Sequence, residues 1–476
     1  MSSIDLELCY LSASEVLKRF KACSLSPVEY LAELIRRAEE TEPAINAFAF
    51  TWFDQAMDQA KEAEAKYARK DTNIRELEGL PIAVKDAADI EGQPLTKGSL
   101  YLKDNISTET HYSIQRLLDA GGIVHARTTT PEFGCSGVCD SKIYGTTHTP
   151  WKLGYTSGGS SGGSGAALAV GSSPVATGSD IGGSIRIPAA CCGVVGYKPP
   201  YGRNPGGTAG SFDMYHALGP MTRTVSDAAM MQNILCGPHP LDNASIRPKY
   251  VLPDTYEDIQ GLRIAWSMDL SFFEVDEHVQ ANTLKTLDVL KDLGAELVEV
   301  DFGWSAEADR ALQNYLDHLF NGNIKAIVDT DPDLATPWAT YCANAAGKTS
   351  AMDFSAAYET QAKMSRHVGA IMDDCYAFIC PTNSFHEIPA DQHPDEPLVI
   401  NGKTVDPLYG WCMAHPFNML GRLPVLSVPS GIGGNGLPTG IQIVARHLDD
   451  ERVFRVAMAL EKAQPWLDCP ERRPSI

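Results

Sequence analysis

The 476-residue chain predicts an α/β fold on three observations. Short apolar runs of strand length recur along it: Leu80–Asp86, Gly121–Arg127, Leu262–Ser267, Glu296–Asp301 and Tyr376–Thr382. Between them lie stretches with helical periodicity, among them Tyr112–Ala120 and Val279–Leu293. Strands that alternate with helices in this way build a sheet layer covered by helices. The chain is also long enough to bury a substantial core, and its ordinary aromatic (8%) and charged (21%) fractions exclude wholesale disorder.

In chain order, the pattern from Ser12 to about Lys70 is helical. Ser26 and Pro27 supply a cap and a first-turn proline before VEYLAELIRRAEE, where Val28, Leu31, Leu34 and Ile35 recur on one face. Trp52–Tyr67 is Ala-rich and charged, a helix with a solvated face. Leu80–Asp86 reads as a short buried strand ending in a lysine, and an ammonium there is costly to desolvate. Taken on its residues alone, Lys85 either snorkels to the surface, pairs with Asp86 or Asp89, or stays buried as a base. Gly121–Arg127 reads as a second strand and leads into Thr130–Gly134; Gly219–Ala229 reads as a loop feeding a helix. Residues 302–376 are mostly helical in pattern, and core packing accounts for most of Trp304, Tyr315, Phe320, Trp338, Tyr341 and Phe354. The polar, Pro-punctuated stretch Asp391–Pro407 is expected to loop over the site, and two strands joined by a turn are expected around Gly436–Gln442.

The functional centre is the Gly- and Ser-rich run Tyr155–Pro200. A flexible linker would not need its apolar interruptions, Ala166–Val170 and Val194–Val195, nor Asp180 and Arg186. Gly158–Gly162 satisfies G-x-S-x-G, but the nucleophile elbow needs a strand directly before the serine, and Trp151–Ser157 does not read as one. Gly158 and Gly163 have phosphate-loop spacing, yet Ser164 stands where that loop requires lysine. No G-x-G-x-x-G occurs in the run. Two hydroxyl-bearing clusters remain, Gly158–Gly163 and Ser179–Arg186. The Gly182–Gly183 pair before Ser184 lets several backbone N–H groups converge on one point, as an oxyanion hole requires.

These residues resemble the amidase signature enzymes, whose diagnostic block pairs a G-G-S-S-G-G loop with a later D-x-G-G-S-[IV]-R at the separation found here. Further matches are Thr130–Gly134, Ile143–Trp151, Gly219–Asp227, Phe417–Gly431 and Gly436–Gln442, so that the likeness runs from about residue 10 to 465 and is weakest between about 300 and 375. It implies a single large domain over 1–476: a twisted mixed β-sheet flanked by helices on both faces. Within it lie an N-terminal helical segment (about 10–70), a signature core (about 75–230) and a variable substrate-shaping region (about 300–410). It also implies a serine amidohydrolase with Ser184 as nucleophile, Ser160 on a cis peptide as proton relay and Lys85 as base. The amides of Ile181, Gly182, Gly183 and Ser184 would form the oxyanion hole. Ser161, Ser179, Asp180 and Arg186 would support them, and Phe133, Gly134 and Cys135 would line the substrate pocket. His148 and Thr149 stand where the family often has Arg and Asn; with no aspartate motif to complete a base, His148 is assigned a structural hydrogen bond.

Composition narrows the partners. With 39 Lys and Arg against 60 Asp and Glu, the net charge of −21 disfavours nucleic acid and anionic membrane surfaces. Met1–Glu7 lacks a basic segment followed by an apolar one, and no apolar run reaches the length of a membrane span, so a cytoplasmic location is expected. The twelve cysteines contain no C-x-x-C pair, and Cys135 and Cys139 have no matching histidines, so no metal and no organic cofactor is expected. The expected partner is a small-molecule substrate, with a homodimer as the candidate assembly. Two other functions compete: one subunit of a glutamine-dependent amidotransferase that modifies aminoacyl-tRNA, and a non-catalytic binding protein that uses the Gly-rich cleft.

Overall fold

Alternate residues of the central strands enter different hydrophobic clusters, which is what a sheet covered on both faces demands. In Pro81–Lys85, Ile82 and Val84 pack with Phe20, Tyr30 and Leu117, whereas Ala83 packs with Ala126, Leu168 and Ile185. In Ala377–Pro381, Ala377 and Ile379 join one cluster, and Phe378 and Cys380 another. This computed structural model describes residues 4–207 and 212–476. The first three residues of the Met1–Glu7 start, and 208–211 within the expected signature core, lie outside the described residues.

The main sheet has eleven strands: β1 (Phe48–Thr51), β2 (Pro81–Lys85), β3 (Ile123–Thr128), β4 (Val175–Asp180), β5 (Val195–Lys198), β6 (Ala217–Thr222), β7 (Arg263–Trp266), β8 (Glu296–Glu299), β9 (Ala377–Pro381), β10 (Val425–Ile432) and β11 (Pro438–Val444). Their spatial order is β1-β3-β2-β4-β6-β5-β10-β11-β9-β7-β8. The sheet is mixed. β3, β2 and β4 run parallel, as do β9, β7 and β8, while β4 through β6, β5, β10 and β11 to β9 pair antiparallel. Two small hairpins, Asp140–Ser141 with Gly145–Thr146 and Leu398–Ile400 with Lys403–Val405, lie outside it.

Most expected elements form where their patterns place them. Ser26 closes a capping box with Glu29 and Pro27 opens the helix Pro27–Ile45. The helix Phe53–Ala68 follows, and residues 302–376 carry four α-helices, Glu307–Leu316, Gly322–Val328, Pro337–Ala345 and Ala351–Asp374. Three readings change. The N-terminal helical stretch is interrupted by β1, which pairs with the edge of β3. Gly219–Thr222 is strand rather than loop, because β6 is held between β4 and β5. The Asp391–Pro407 loop folds part of itself into the second hairpin.

The helix Gly162–Val170 is buried along its whole length. Its small residues allow this: a β-carbon on Gly163 would stand 2.4 Å from the Ala47 carbonyl and from the Thr129 hydroxyl. The close approach seats the helix against β3 and fixes the serine loop at its N-terminal end. No helix among the described residues is long and apolar enough to cross a membrane.

Candidate active site

Three parallel strand ends set up the site. β2 runs between β3 and β4 and delivers Lys85 at its last position. The Lys85 backbone N–H donates to Thr177 Oγ1 of β4 at 3.3 Å. Lys85 Nζ lies 2.7 Å from Ser160 Oγ and 3.0 Å from Ser179 Oγ. Asp86 is turned to other partners: its carboxylate takes the Thr96 hydroxyl and N–H and the Tyr144 hydroxyl, with Arg127 beside it. The snorkelling and ion-pair readings of Lys85 therefore fall away. Burial pushes its amine down to about 7, against the opposing pull of Cys139 and Asp180.

Ser160 follows a cis Gly159–Ser160 peptide and precedes the buried helix Gly162–Val170. Ser184 sits in the turn between β4 and the helix Arg186–Cys192. The Ser161 N–H donates to the Ser184 carbonyl at 3.1 Å, which stitches the two serine loops together. Exposure rises along the three residues, from 2% for Lys85 to 4% for Ser160 and 9% for Ser184. The serine expected to meet the substrate is thus the most accessible of the set. Ser184 Oγ makes no hydrogen bond among the described residues, which leaves it free to turn toward a carbonyl carbon.

Asp180 and Arg186 form a buried clamp under this turn. Arg186 Nε and Nη2 each donate to Asp180 at 3.0 Å; Nη1 donates to the Ala414 carbonyl and to Gln442 Oε1, and Nη2 to Asn418 Oδ1. Asn418 Nδ2 also donates to Asp180 at 2.8 Å. Burial opposes ionisation, yet Arg186 and Asn418 hold the Asp180 carboxyl well below the usual carboxylate range. Asp180 further accepts the backbone N–H groups of Gly183 (2.8 Å) and Ile185 (3.2 Å). This corrects the expected oxyanion hole. The Gly183 N–H is spent on Asp180, which leaves the amides of Ile181, Gly182 and Ser184 without backbone or side-chain acceptors among the described residues.

The expected supports fall into two groups. Ser179 touches Lys85 directly, whereas Ser161 Oγ donates to the Ser179 carbonyl at 3.4 Å. Of the three expected pocket residues, Gly134 is placed against the serines: at φ +73° it brings its backbone so close that a β-carbon there would stand 3.3 Å from Ser160 Oγ. Phe133 stacks on Tyr101 and packs with Val328, Ala335 and Ala339. Cys135 lies beside Cys342, whose thiol donates weakly to its carbonyl at 4.0 Å. Cys139 instead contacts Thr129, so Cys135 and Cys139 do not form one ligand set. No three His, Cys, Asp or Glu among the described residues are grouped to hold a metal. His148 accepts the Gly154 N–H at 3.4 Å within a local turn.

Nothing in the spacing of Asn418 or Gln442 points to Arg186, which lies more than two hundred residues earlier, so their part in the clamp is visible only in the fold. Nor did any motif indicate the cavity of about 350 Å³ that opens against Lys85 and Ser179, walled by Lys97, Asp213, His216 and Phe320. Replacing Asp180 by Ala leaves the fully buried Arg186 uncompensated. The expected cost is about 3–5 kcal/mol of stability, read as a lowered denaturant midpoint; an unchanged midpoint contradicts the clamp.

A buried lysine, two serine loops and a triplet of free amides on a mixed α/β sheet define a hydrolase that acts on carbon–nitrogen bonds other than peptide bonds. The sequence model of the Amidase family matches residues 29–454, and the chain belongs to that family. It is 35% identical over 477 residues to an acylamidase of Rhodococcus erythropolis, covering 98% of both chains. It is 30% identical to a glutamyl-tRNA(Gln) amidotransferase subunit of Caldanaerobacter subterraneus, covering 96% of this chain and 97% of the relative. Among solved structures it is similar to a bacterial aryl acylamidase belonging to the amidase signature enzymes, with a TM-score of 0.89 and 29% identity over 96% of this chain and 97% of the other.

Proposed function

We propose that the chain is a serine amidohydrolase that cleaves the C–N bond of a small or aryl amide through an acyl-enzyme on Ser184, with Ser160 as proton relay and Lys85 as base. The observation that carries this is the 2.7 Å contact between Ser160 and a buried lysine amine that has no carboxylate partner among the described residues. A neutral amine can accept the Ser160 proton as Ser160 takes the proton of Ser184. The oxyanion formed by attack faces the free amides of Ile181, Gly182 and Ser184. Ser160 then returns the proton to the leaving nitrogen, since an amine anion does not leave unassisted. The acyl-enzyme is released by water through the same relay. The acylamidase and aryl acylamidase relatives support an acylated amine as substrate; carbamates and esters present the same carbonyl.

The pH dependence follows from the sign of the Lys85 shift. The base is the neutral amine, so protonation removes activity. With the amine brought down to about 7, the rate is expected to rise with pH through that value and level off above it. A rate flat from pH 6 to 10 contradicts Lys85 as base. One observation favours a second reading, that of an amidotransferase component: relatives of that description match over nearly the whole chain at about 30% identity. Release of ammonia from glutamine, with no turnover of an acyl anilide, would select it.

A further inference from the structure

The segment Trp411–Pro416 lies behind the nucleophile turn and touches it at three points. Cys412 Sγ donates to the Gly182 carbonyl at 3.4 Å. The Ala414 carbonyl accepts Arg186 Nη1 at 2.7 Å. The Ala414 methyl abuts Gly183 so closely that a β-carbon on Gly183 would stand 2.8 Å from it. This segment has its own anchor. His415, 1% exposed at its side chain, places Nδ1 2.6 Å from the Cys412 carbonyl and Nε2 2.7 Å from Asp309 Oδ1. Both neighbours only accept hydrogen bonds when Asp309 is ionised, so both ring nitrogens must carry hydrogen and the ring is an imidazolium.

We propose that the charged His415–Asp309 pair is a positioning device for catalysis: it ties the segment behind the nucleophile turn to the helix Glu307–Leu316 and so sets the aim of the Gly182 amide and of Ser184. The inference rests on Ser184 as nucleophile. Asp309 lies within the 300–410 region, so the pair couples that region to the turn. Phe273 and Tyr409 pack edge-on against the ring at 5.9 and 5.6 Å. The titratable groups that face it are Asp309, Tyr409 and Cys412. Burial works against the charge, but Asp309 first and the Cys412 side chain second lift the imidazole to about 10. The device therefore stays charged across the range in which Lys85 becomes neutral.

The test compares Asp309→Asn and Asp309→Glu with the wild type on a chromogenic acyl anilide. Asp309→Asn keeps an acceptor for Nε2 but removes the charge. We expect kcat to fall on the order of tenfold to a hundredfold, the scale of a small misplacement of a reacting group, with KM within about twofold. With its carboxylate partner gone the imidazolium loses its proton more readily, so the rate of Asp309→Asn should fall with rising pH where the wild type still holds its plateau, and Asp309→Glu should recover most of kcat and that plateau. Sulfonyl fluoride labelling of Ser184 should slow in parallel. Wild-type kcat in folded Asp309→Asn, or a loss confined to KM or to thermal stability, overturns the proposal. If Asp309→Asn fails to fold, the wild-type profile decides: a rate that falls as pH passes about 10 in protein that stays folded supports the device, and a plateau that holds through that value overturns it. Retained turnover in Ser184→Ala would instead remove the underlying assignment, which keeps the two failures apart.

Discussion

Purified Ser184→Ala is expected to lose on the order of 10⁵- to 10⁶-fold in kcat, the scale seen when a nucleophile that acts as a unit with its base is removed. The residue stands in a turn whose frame does not depend on its hydroxyl. The Asp180–Arg186 clamp, the Ser161 to Ser184 backbone bond and the helix Arg186–Cys192 all remain in the variant. Its melting temperature should therefore match the wild type, and binding of an uncleaved amide should persist because the Ile181 and Gly182 amides are unchanged. Loss of turnover with fold and binding kept is the signature of a removed nucleophile. Retained turnover on an acyl anilide would move the nucleophile elsewhere.

The second large effect concerns Lys85. Lys85→Ala should cost roughly 10²- to 10⁴-fold in kcat, the contribution of a positioned general base. The double variant with Ser160→Ala should lose little more than the worse single, because relay and base act together. Unlike a surface lysine, Lys85 makes no ion pair in the described residues whose loss would unfold the chain; removing it also removes the cost of burying an amine. A stability equal to or above wild type is expected from thermal unfolding, alongside the lost activity. The variant should lose the rise of rate with pH through about 7 as well. If Lys85→Ala keeps that limb, the ionisation belongs to another group.

What was readable in the sequence, and what was not, divides along physical lines. Lys85 stands out because a charge at the end of an apolar run contradicts its surroundings; its residues alone leave snorkelling, an ion pair and a buried base open, and the fold decides by placing Ser160 and Ser179 against its amine. The helices with capped, periodic faces, such as Pro27–Ile45, were readable for the ordinary reason that burial has a period. The helix Gly162–Val170 and strand β4 were not. Both are built mainly of Gly, Ala, Ser and Thr, small enough for close approach: β-carbons on Gly163 and Gly178 would meet their nearest neighbours at 2.4 and 2.8 Å. Sequences selected for contact distance carry no amphipathic period. β1, four residues between two helices, was too short to announce itself. The clamp around Arg186 was hidden for another reason, since Asn418, Gln442 and Ala414 come together only through the sheet order that sets β10 and β11 beside β5. Gly183 shows the converse. Its position beside Ser184 suggested an oxyanion donor, and only the Asp180 carboxylate 2.8 Å away reveals that its N–H is already used.

The most direct test of the central claim is intact-protein and peptide mass spectrometry after incubation with phenylmethanesulfonyl fluoride, with anilide and carbamate hydrolysis followed in parallel. One adduct is expected, on Ser184, formed at a rate that rises with pH through about 7 and accompanied by loss of hydrolysis. An adduct on another residue, or full hydrolysis from protein labelled at Ser184, would contradict that claim.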